Sequence, residues 1–266
     1  MYETTYHRAE SVENAVALLG GADDPKILSG GQTLLPTMKQ RLAAPSDLID
    51  VSRIADMHGI CEDGNAISIG AATTHAEVAG SDLVKARIPG LAKLAGGIGD
   101  PAVRHMGTLG GSIANNDPAA DYPSALVALN ATISTTKRKL SAEEFFTGMF
   151  ETALDEDEIV LSVSFPVAEK SAYAKYPNPA SRYAMAGVFV ARHGDGTVRV
   201  AVTGAGQNGV FRSAEMEAAL AANFTPEAVA GISVDADGLL SDIHGSNAYR
   251  ANLVTVMAKR AVAAAG

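Results

Sequence analysis

The sequence predicts an α+β protein of three consecutive units, and three observations carry that prediction. Strand-like apolar runs and amphipathic helical runs alternate irregularly through residue 168. Two adjacent-glycine pairs, Gly30-Gly31 and Gly110-Gly111, each precede a helix-prone run and have Ser or Thr beside them. Beyond them the pattern changes to two alternating runs around His193-Gly194-Asp195-Gly196, a hairpin signal, with two helices after it. The chain has 266 residues, 47% of them apolar, which is ordinary for a globular protein with a sizeable core.

The elements read as follows. "SVENAVALLGG" is a helix with Ser11 as N-cap, Val12, Ala15, Val16 and Leu19 on one face, and Gly20-Gly21 at its end. "PKILSGG" is a short strand and turn, "LLPTMKQRL" a helix with Leu35, Met38 and Leu42 on its buried side, and "SDLIDVS" a strand. The first unit is thus β–α–β-like. "NAISIG" is a strand, and Thr74 caps the short helix after it. A helix over "LVKARIPGLAKLAGGIG" is interrupted by Pro89-Gly90. "DYPSALVALNATISTT" is a helix followed by a strand, "SAEEFFTGMF" a capped short helix, and "DEIVLSVSFP" a strand that Pro166 ends. After the hairpin, "SAEMEAALAAN" is a helix with Ser213 as N-cap, and "SNAYRANLVTVMAKRAVAAA" closes the chain as a helix.

Adjacent glycines expose main-chain N–H groups with no side chain in the way, and such groups bind phosphate oxygens. One pair alone is most simply a tight turn. Two pairs with hydroxyl neighbours point to two loops that serve one anionic ligand, a pyrophosphate. "GAGQNG", Gly204–Gly209, also matches the dinucleotide pattern G-x-G-x-x-G. It follows a hairpin strand, however, and Val210, Phe211 and Arg212 separate it from the next helix, so it reads as a turn.

Composition excludes several classes. A net charge of −9 argues against nucleic-acid binding, which needs a basic face. No segment reads as a transmembrane helix, and "MYETTYHRAE" is too polar for a signal peptide, so a cytoplasmic protein is expected. Cys61 is the single cysteine, which excludes an internal disulfide, a Cys-rich zinc site and an iron–sulfur cluster held by this chain alone. The six histidines are scattered, and no hydrolase or P-loop motif occurs. No catalytic residue and no metal ligand is expected.

At the glycine loops the sequence resembles a known family. "LSGGQTLLPTMKQRLAAPSDLIDV", "IGDPAVRHMGTLGGSIANNDPAADYP", "YAKYPNPASRYAMAGVFVA" and "SDIHGSNAYRANLVTVMAKRAV" resemble segments of the FAD-binding subunits of molybdenum hydroxylases. That family includes the medium subunit of carbon monoxide dehydrogenase and the flavin domain of xanthine dehydrogenase. The resemblance runs nearly end to end. It implies a vanillyl-alcohol-oxidase-like fold: an N-terminal FAD-binding subdomain over residues 1–56, a second over 57–168, and a C-terminal domain, 169–266, of a three-stranded antiparallel sheet with helices. It implies that Leu28, Ser29, Gly30, Gly31, Gln32, Thr33, Leu34 and Leu35 form one half of the FAD cradle. Thr108, Leu109, Gly110, Gly111 and Ser112 then form the other. Asp117 and Asp121 resemble family acids near the sugar-like part of FAD, Ile98 and Val160 residues beside the flavin, Lys175 a family lysine, and Tyr183 a tyrosine that stacks near the isoalloxazine. Two departures stand out: Thr33 replaces a common serine, and Arg182 stands where many members carry Asp.

The resemblance also implies partners: a small subunit with iron–sulfur clusters and a large molybdenum subunit, paired as a dimer of heterotrimers. The expected function is electron transfer from the clusters through FAD to an external acceptor. Two alternatives are a self-sufficient FAD oxidase, for which Tyr176, Tyr183 and His193 are the candidate groups over the flavin, and an adaptor that has lost FAD. Simpler readings of single residues stay open: Asp117 and Asp121 as loop or helix-cap residues, Tyr183 as a core aromatic, and Lys39 and Arg41 as solvated helix residues.

Overall fold

The computed structural model describes all residues, Met1–Gly266, and contains three sheets with helices and one small hairpin. The first sheet is parallel, in the order β1-β3-β2, with β1 at Thr5–Arg8, β2 at Pro25–Leu28 and β3 at Asp47–Asp50. Helix α1, Val12–Gly20, crosses from β1, and Ser11 caps it by accepting the N–H of Asn14. Helix α2, Leu34–Lys39, follows β2. Strand β1 lies in the segment that looked merely polar: its side chains face solvent or stay half-buried, so no apolar alternation marks it. Met38 is buried as expected, but Leu42 is 76% exposed. The helix stops at Lys39, and Arg41 turns into the left-handed region at φ +61°, which swings Leu42 outward.

The second sheet is antiparallel, in the order β4-β5-β10-β6-β7. Its strands are β4 (Ile60–Asp63), β5 (Ala66–Gly70), β6 (Thr132–Thr135), β7 (Lys139–Ser141) and β10 (Val160–Pro166). Between β5 and β6 run α3 (His75–Gly80), α4 (Asp82–Arg87), α5 (Pro89–Gly96), α6 (Pro101–Arg104), α7 (Leu109–Asn115) and α8 (Tyr122–Ala128). Thr74 forms a capping box with Glu77 at the start of α3. Pro89 is tolerated because it opens α5 at a first-turn position. The expected helix over "SAEEFFTGMF" is only one turn, α9 (Ala142–Phe145). The rest forms the hairpin β8 (Phe146–Gly148) and β9 (Glu151–Thr152).

The third sheet holds the expected hairpin. β11 (Lys170–Pro177), β12 (Ala184–Arg192) and β13 (Val198–Thr203) are antiparallel, and a two-residue β14 (Phe211–Arg212) adds a fourth strand at the edge. Every residue of β12 from Ala184 to Ala191 is buried. One face carries Phe189 and Ala191 into the first core, and the other carries Val188 and Val190 into the second. α10 (Ala214–Ala222) and α11 (Asn247–Ala265) pack on that second face. Ser213 occupies the N-cap position of α10, but its side chain makes no capping hydrogen bond. "GAGQNG" is a turn, as expected: a Cβ at Gly206 would stand 2.5 Å from the carbonyl oxygen of Gly209. No helix is long and apolar enough to cross a membrane.

Candidate functional site

The two glycine loops meet. A Cβ at Gly30 would stand 2.1 Å from the carbonyl oxygen of Met106, so the first loop lies directly on the approach to the second. Ser29 Oγ and Thr108 Oγ1 are 3.0 Å apart and join the loops through a hydrogen bond. Around this junction lies a cavity of about 630 Å³, within the ~300–1,000 Å³ range of cofactor sites.

The two loops play different physical parts. In the first, the main-chain N–H groups of Ser29, Gly30, Gly31, Gln32 and Thr33 find no main-chain acceptor in the chain. Gly31 sits at φ +68°, which turns the chain between β2 and α2 and leaves this run of donors at the cavity wall. In the second, most donors are already used. Leu109 donates to the carbonyl of Thr73 at 3.1 Å, and Gly110 to that of Ala71 at 2.8 Å. Gly111 donates to Thr108 Oγ1 at 3.2 Å. Gly110 is needed for packing, since a Cβ there would stand 2.6 Å from Ala71 Cβ. Gly111 differs: a Cβ there would meet only Thr108 Oγ1, at 3.0 Å. The backbone at Gly111 therefore lies open to the cavity it lines.

The other expected residues divide between the wall and the layer behind it. Leu28, Leu34, Ile98, Ser112, Asp117, Asp121, Val160 and Tyr183 join both loops in the wall. Val160 reaches it beside a register shift between β10 and β6. Three expected residues stand behind the wall. Leu109 is fully buried in the core. Leu35 packs under the first loop, its Cδ1 2.9 Å from where a Gly31 Cβ would be. Lys175 holds Asp121 by an ion pair of 2.9 Å.

Asp121 is 4% exposed and also accepts a 2.5 Å hydrogen bond from the Tyr173 hydroxyl. Burial pushes its carboxyl up, and Lys175 and Tyr173 pull it back only in part. Its side chain makes no helix-capping bond. Asp117 does hold its own loop, accepting the Ala119 N–H at 2.8 Å, and burial pushes its carboxyl up as well. Tyr183 is 46% exposed and precedes β12, so it is no core aromatic. Partial burial and the nearby Asp117 and Asp121 raise its phenol.

Two wall residues gave no signal in the sequence. Glu158 has a buried carboxylate. Burial alone would raise it, but hydrogen bonds from Arg138 and Thr135 outweigh burial and hold it at about 2. His75 is 4% exposed, and its Nδ1 has no hydrogen-bond partner. Burial, with the Arg104 charge, pushes the imidazole down to about 4, so it is neutral at pH 7. Its ring lies 5.4 Å from that of Tyr122, whose hydroxyl is likewise unpartnered.

Comparison with known proteins identifies this arrangement. Residues 2–168 match the family described as the FAD binding domain in molybdopterin dehydrogenase. The chain belongs to that family. It is 36% identical to the carbon monoxide dehydrogenase medium chain of Hydrogenophaga pseudoflava, over 98% of this chain and 96% of that one. It is 34% identical to the glyceraldehyde dehydrogenase medium chain of Sulfolobus acidocaldarius, over 97% of each. Its fold superposes on carbon monoxide dehydrogenase from H. pseudoflava with a TM-score of 0.87, covering 99% of this chain and 97% of that one. As a member of this family of oxidoreductase subunits, the chain takes FAD as its cofactor. The structure fits that cofactor. The free donors of the first loop and the open backbone at Gly111 suit a pyrophosphate, and the apolar wall with its two acids suits a ring and a polyol.

Proposed function

We propose that this medium subunit is the electron-transfer element of a larger molybdenum hydroxylase. In this reading it receives electrons from an iron–sulfur small subunit, which draws them from a molybdenum large subunit, and it delivers them to an external acceptor. The three subunits pair as a dimer of heterotrimers. Bound FAD supplies the chemistry of taking up two electrons and releasing them singly or as a pair. The chain's residues bind and orient it. The N–H groups of residues 29–33 hold the pyrophosphate, with the hydroxyls of Thr33, Thr108 and Ser112 beside them. Asp117 and Asp121 accept hydrogen bonds from the sugar-like hydroxyls, and Lys175 with Tyr173 fixes the Asp121 carboxylate for that task. Ile98, Val160 and Tyr183 enclose the ring and exclude water.

The observation that carries the proposal is the run of unpaired donors at Ser29–Thr33 in a chain whose single cysteine cannot hold a cluster. In this reading the clusters that feed the flavin belong to a second chain. Affinity purification from the native host, with iron and molybdenum measured by mass spectrometry, tests this. The expected preparation contains two further chain types with both metals. A native preparation of this chain and FAD alone that turns over an organic substrate overturns the proposal and makes the chain a self-sufficient oxidase.

A further inference from the structure

We propose that Arg182, in the cavity wall, and Arg104, beside it on the Gly99 carbonyl, form an anion site that selects negatively charged reactants over neutral ones as they reach the cofactor. The proposal rests on the electron-transfer reading above and adds to it the chemical class of molecule that the site receives.

Both guanidinium groups converge on one carbonyl. Arg104 Nη1 donates to the carbonyl oxygen of Gly99 at 3.0 Å and to that of Ile98 at 3.0 Å. Arg182 Nη1 donates to the same Gly99 oxygen at 3.3 Å from the turn before β12. Two like charges that share one neutral acceptor repel each other. Elsewhere around the cavity the chain provides counter-ions: Lys26 has Asp24, Lys175 has Asp121, and Arg138 has Glu158. Arg104 and Arg182 have no carboxylate within ion-pair distance, in a chain of net charge −9. Asp100, next to Gly99, is committed to the N–H of Val103 as the cap of α6. The Arg104 charge is felt as far as His75, whose protonated form it disfavours.

Arg182 is held in place at a conformational cost. Its φ of +63° is uncommon for a long side chain. The turn between β11 and β12 enforces it. The Asn178 N–H donates to the Tyr183 carbonyl at 2.7 Å, and the Arg182 N–H to the Asn178 carbonyl at 2.9 Å. Asn178 Oδ1 accepts from Ala180 at 2.9 Å and Ser181 at 3.2 Å. Gly99 opposite is also left-handed, at φ +49°. Glycine adopts this conformation without strain, so the backbone cost falls on Arg182 alone, and an arriving oxyanion can bridge the two guanidinium groups with charge-assisted hydrogen bonds. An acceptor or effector bearing phosphate, carboxylate or sulfonate fits this chemistry.

The test uses the FAD-loaded chain and three variants: Arg182→Asn, which is neutral and tolerates the left-handed backbone, Arg182→Lys, which keeps the charge, and Arg104→Gln with Arg182→Asn. Inorganic pyrophosphate binding is measured by calorimetry, and FAD affinity by fluorescence titration. The chemically reduced protein is then reoxidised either by ferricyanide, two ions each taking one electron, or by benzoquinone, one molecule taking both electrons with two protons. Arg182→Asn is expected to weaken pyrophosphate binding and slow ferricyanide by about threefold, and the double variant by roughly tenfold. Arg182→Lys retains most of both. Benzoquinone rates and FAD affinity stay within about twofold of the wild type, and added salt erases the ferricyanide advantage. Equal slowing of both oxidants, or unchanged pyrophosphate binding, overturns the proposal. A parallel loss of FAD affinity also overturns it, by showing that the two arginines hold the cofactor's own phosphates. Failure of the wild-type chain to bind FAD would instead overturn the cofactor reading itself.

Discussion

A Cβ at Gly30 would strike the Met106 carbonyl at 2.1 Å, whereas one at Gly111 would meet only Thr108 Oγ1 at 3.0 Å. Gly30 is therefore needed by the fold and Gly111 by the ligand. Gly30→Val is expected to lower both thermal stability and FAD affinity. Gly111→Val should leave the melting temperature of the apo-protein within a few degrees of wild type yet weaken FAD binding at least tenfold. Thermal denaturation and fluorescence titration of both variants check this, and equal stability losses would remove the distinction. His75 makes a second residue-scale prediction. Its folded value of about 4 lies below the ordinary 6.5, so the unfolded chain takes up the proton first. Stability of the apo-protein should then fall as pH drops from 6.5 through 4, by up to about 3 kcal/mol. Urea unfolding across that range should show this acid limb, and His75→Phe should flatten it.

Among the elements, the junction of β6, β7 and β10 depends on one buried carboxylate. Glu158 precedes β10, and Arg138, in the β6–β7 turn, donates to both of its oxygens at 3.1 and 2.9 Å while Thr135 donates at 2.5 Å. Arg138→Ala leaves this charge buried without its cation and should lower stability. The sign of the pH effect follows from the depressed value: the contribution is full above about 4.5 and is lost as pH falls towards 2. Denaturant unfolding of wild type and variant at pH 7 and pH 3 should show a difference that shrinks at the lower pH. The turns at this scale were largely readable in the sequence. Ser11, Thr74 and Ser141 cap their helices through local hydrogen bonds that need only neighbouring residues. β1 was not readable, because an edge strand without an inward apolar face leaves no period-2 pattern.

Across the whole molecule, two hydrophobic cores share β12, which sends alternate side chains into each. The cavity draws its walls from all three sheet-bearing units: the first loop follows β2, the second opens α7 with Thr108 as its cap, and Tyr183 leads into β12. A ligand that binds only where these parts are assembled stabilises the assembly by mass action. FAD at about a hundred times its dissociation constant should add about 2.7 kcal/mol to folding. Differential scanning fluorimetry should show a melting temperature that rises with FAD concentration in the wild type and much less in Gly111→Val.

The sequence by itself determined whatever depends on near neighbours: the glycine turns, the helix caps, the alternating hairpin strands and the motif pattern that marks the FAD-binding family. It also showed that one cysteine cannot hold a cluster. Only the tertiary structure decided which glycine pair offers donors and which is used for packing, because that turns on Thr73 and Ala71, distant in sequence, accepting the N–H groups of Leu109 and Gly110. It alone placed Lys175 behind Asp121, 54 residues away, and brought Arg182 onto the Gly99 carbonyl, 83 residues away. The physical reason is the range of the interactions. Backbone conformation and capping are set within a few residues, whereas burial, ion pairing and a shared cavity wall arise only when segments far apart in the chain are packed together.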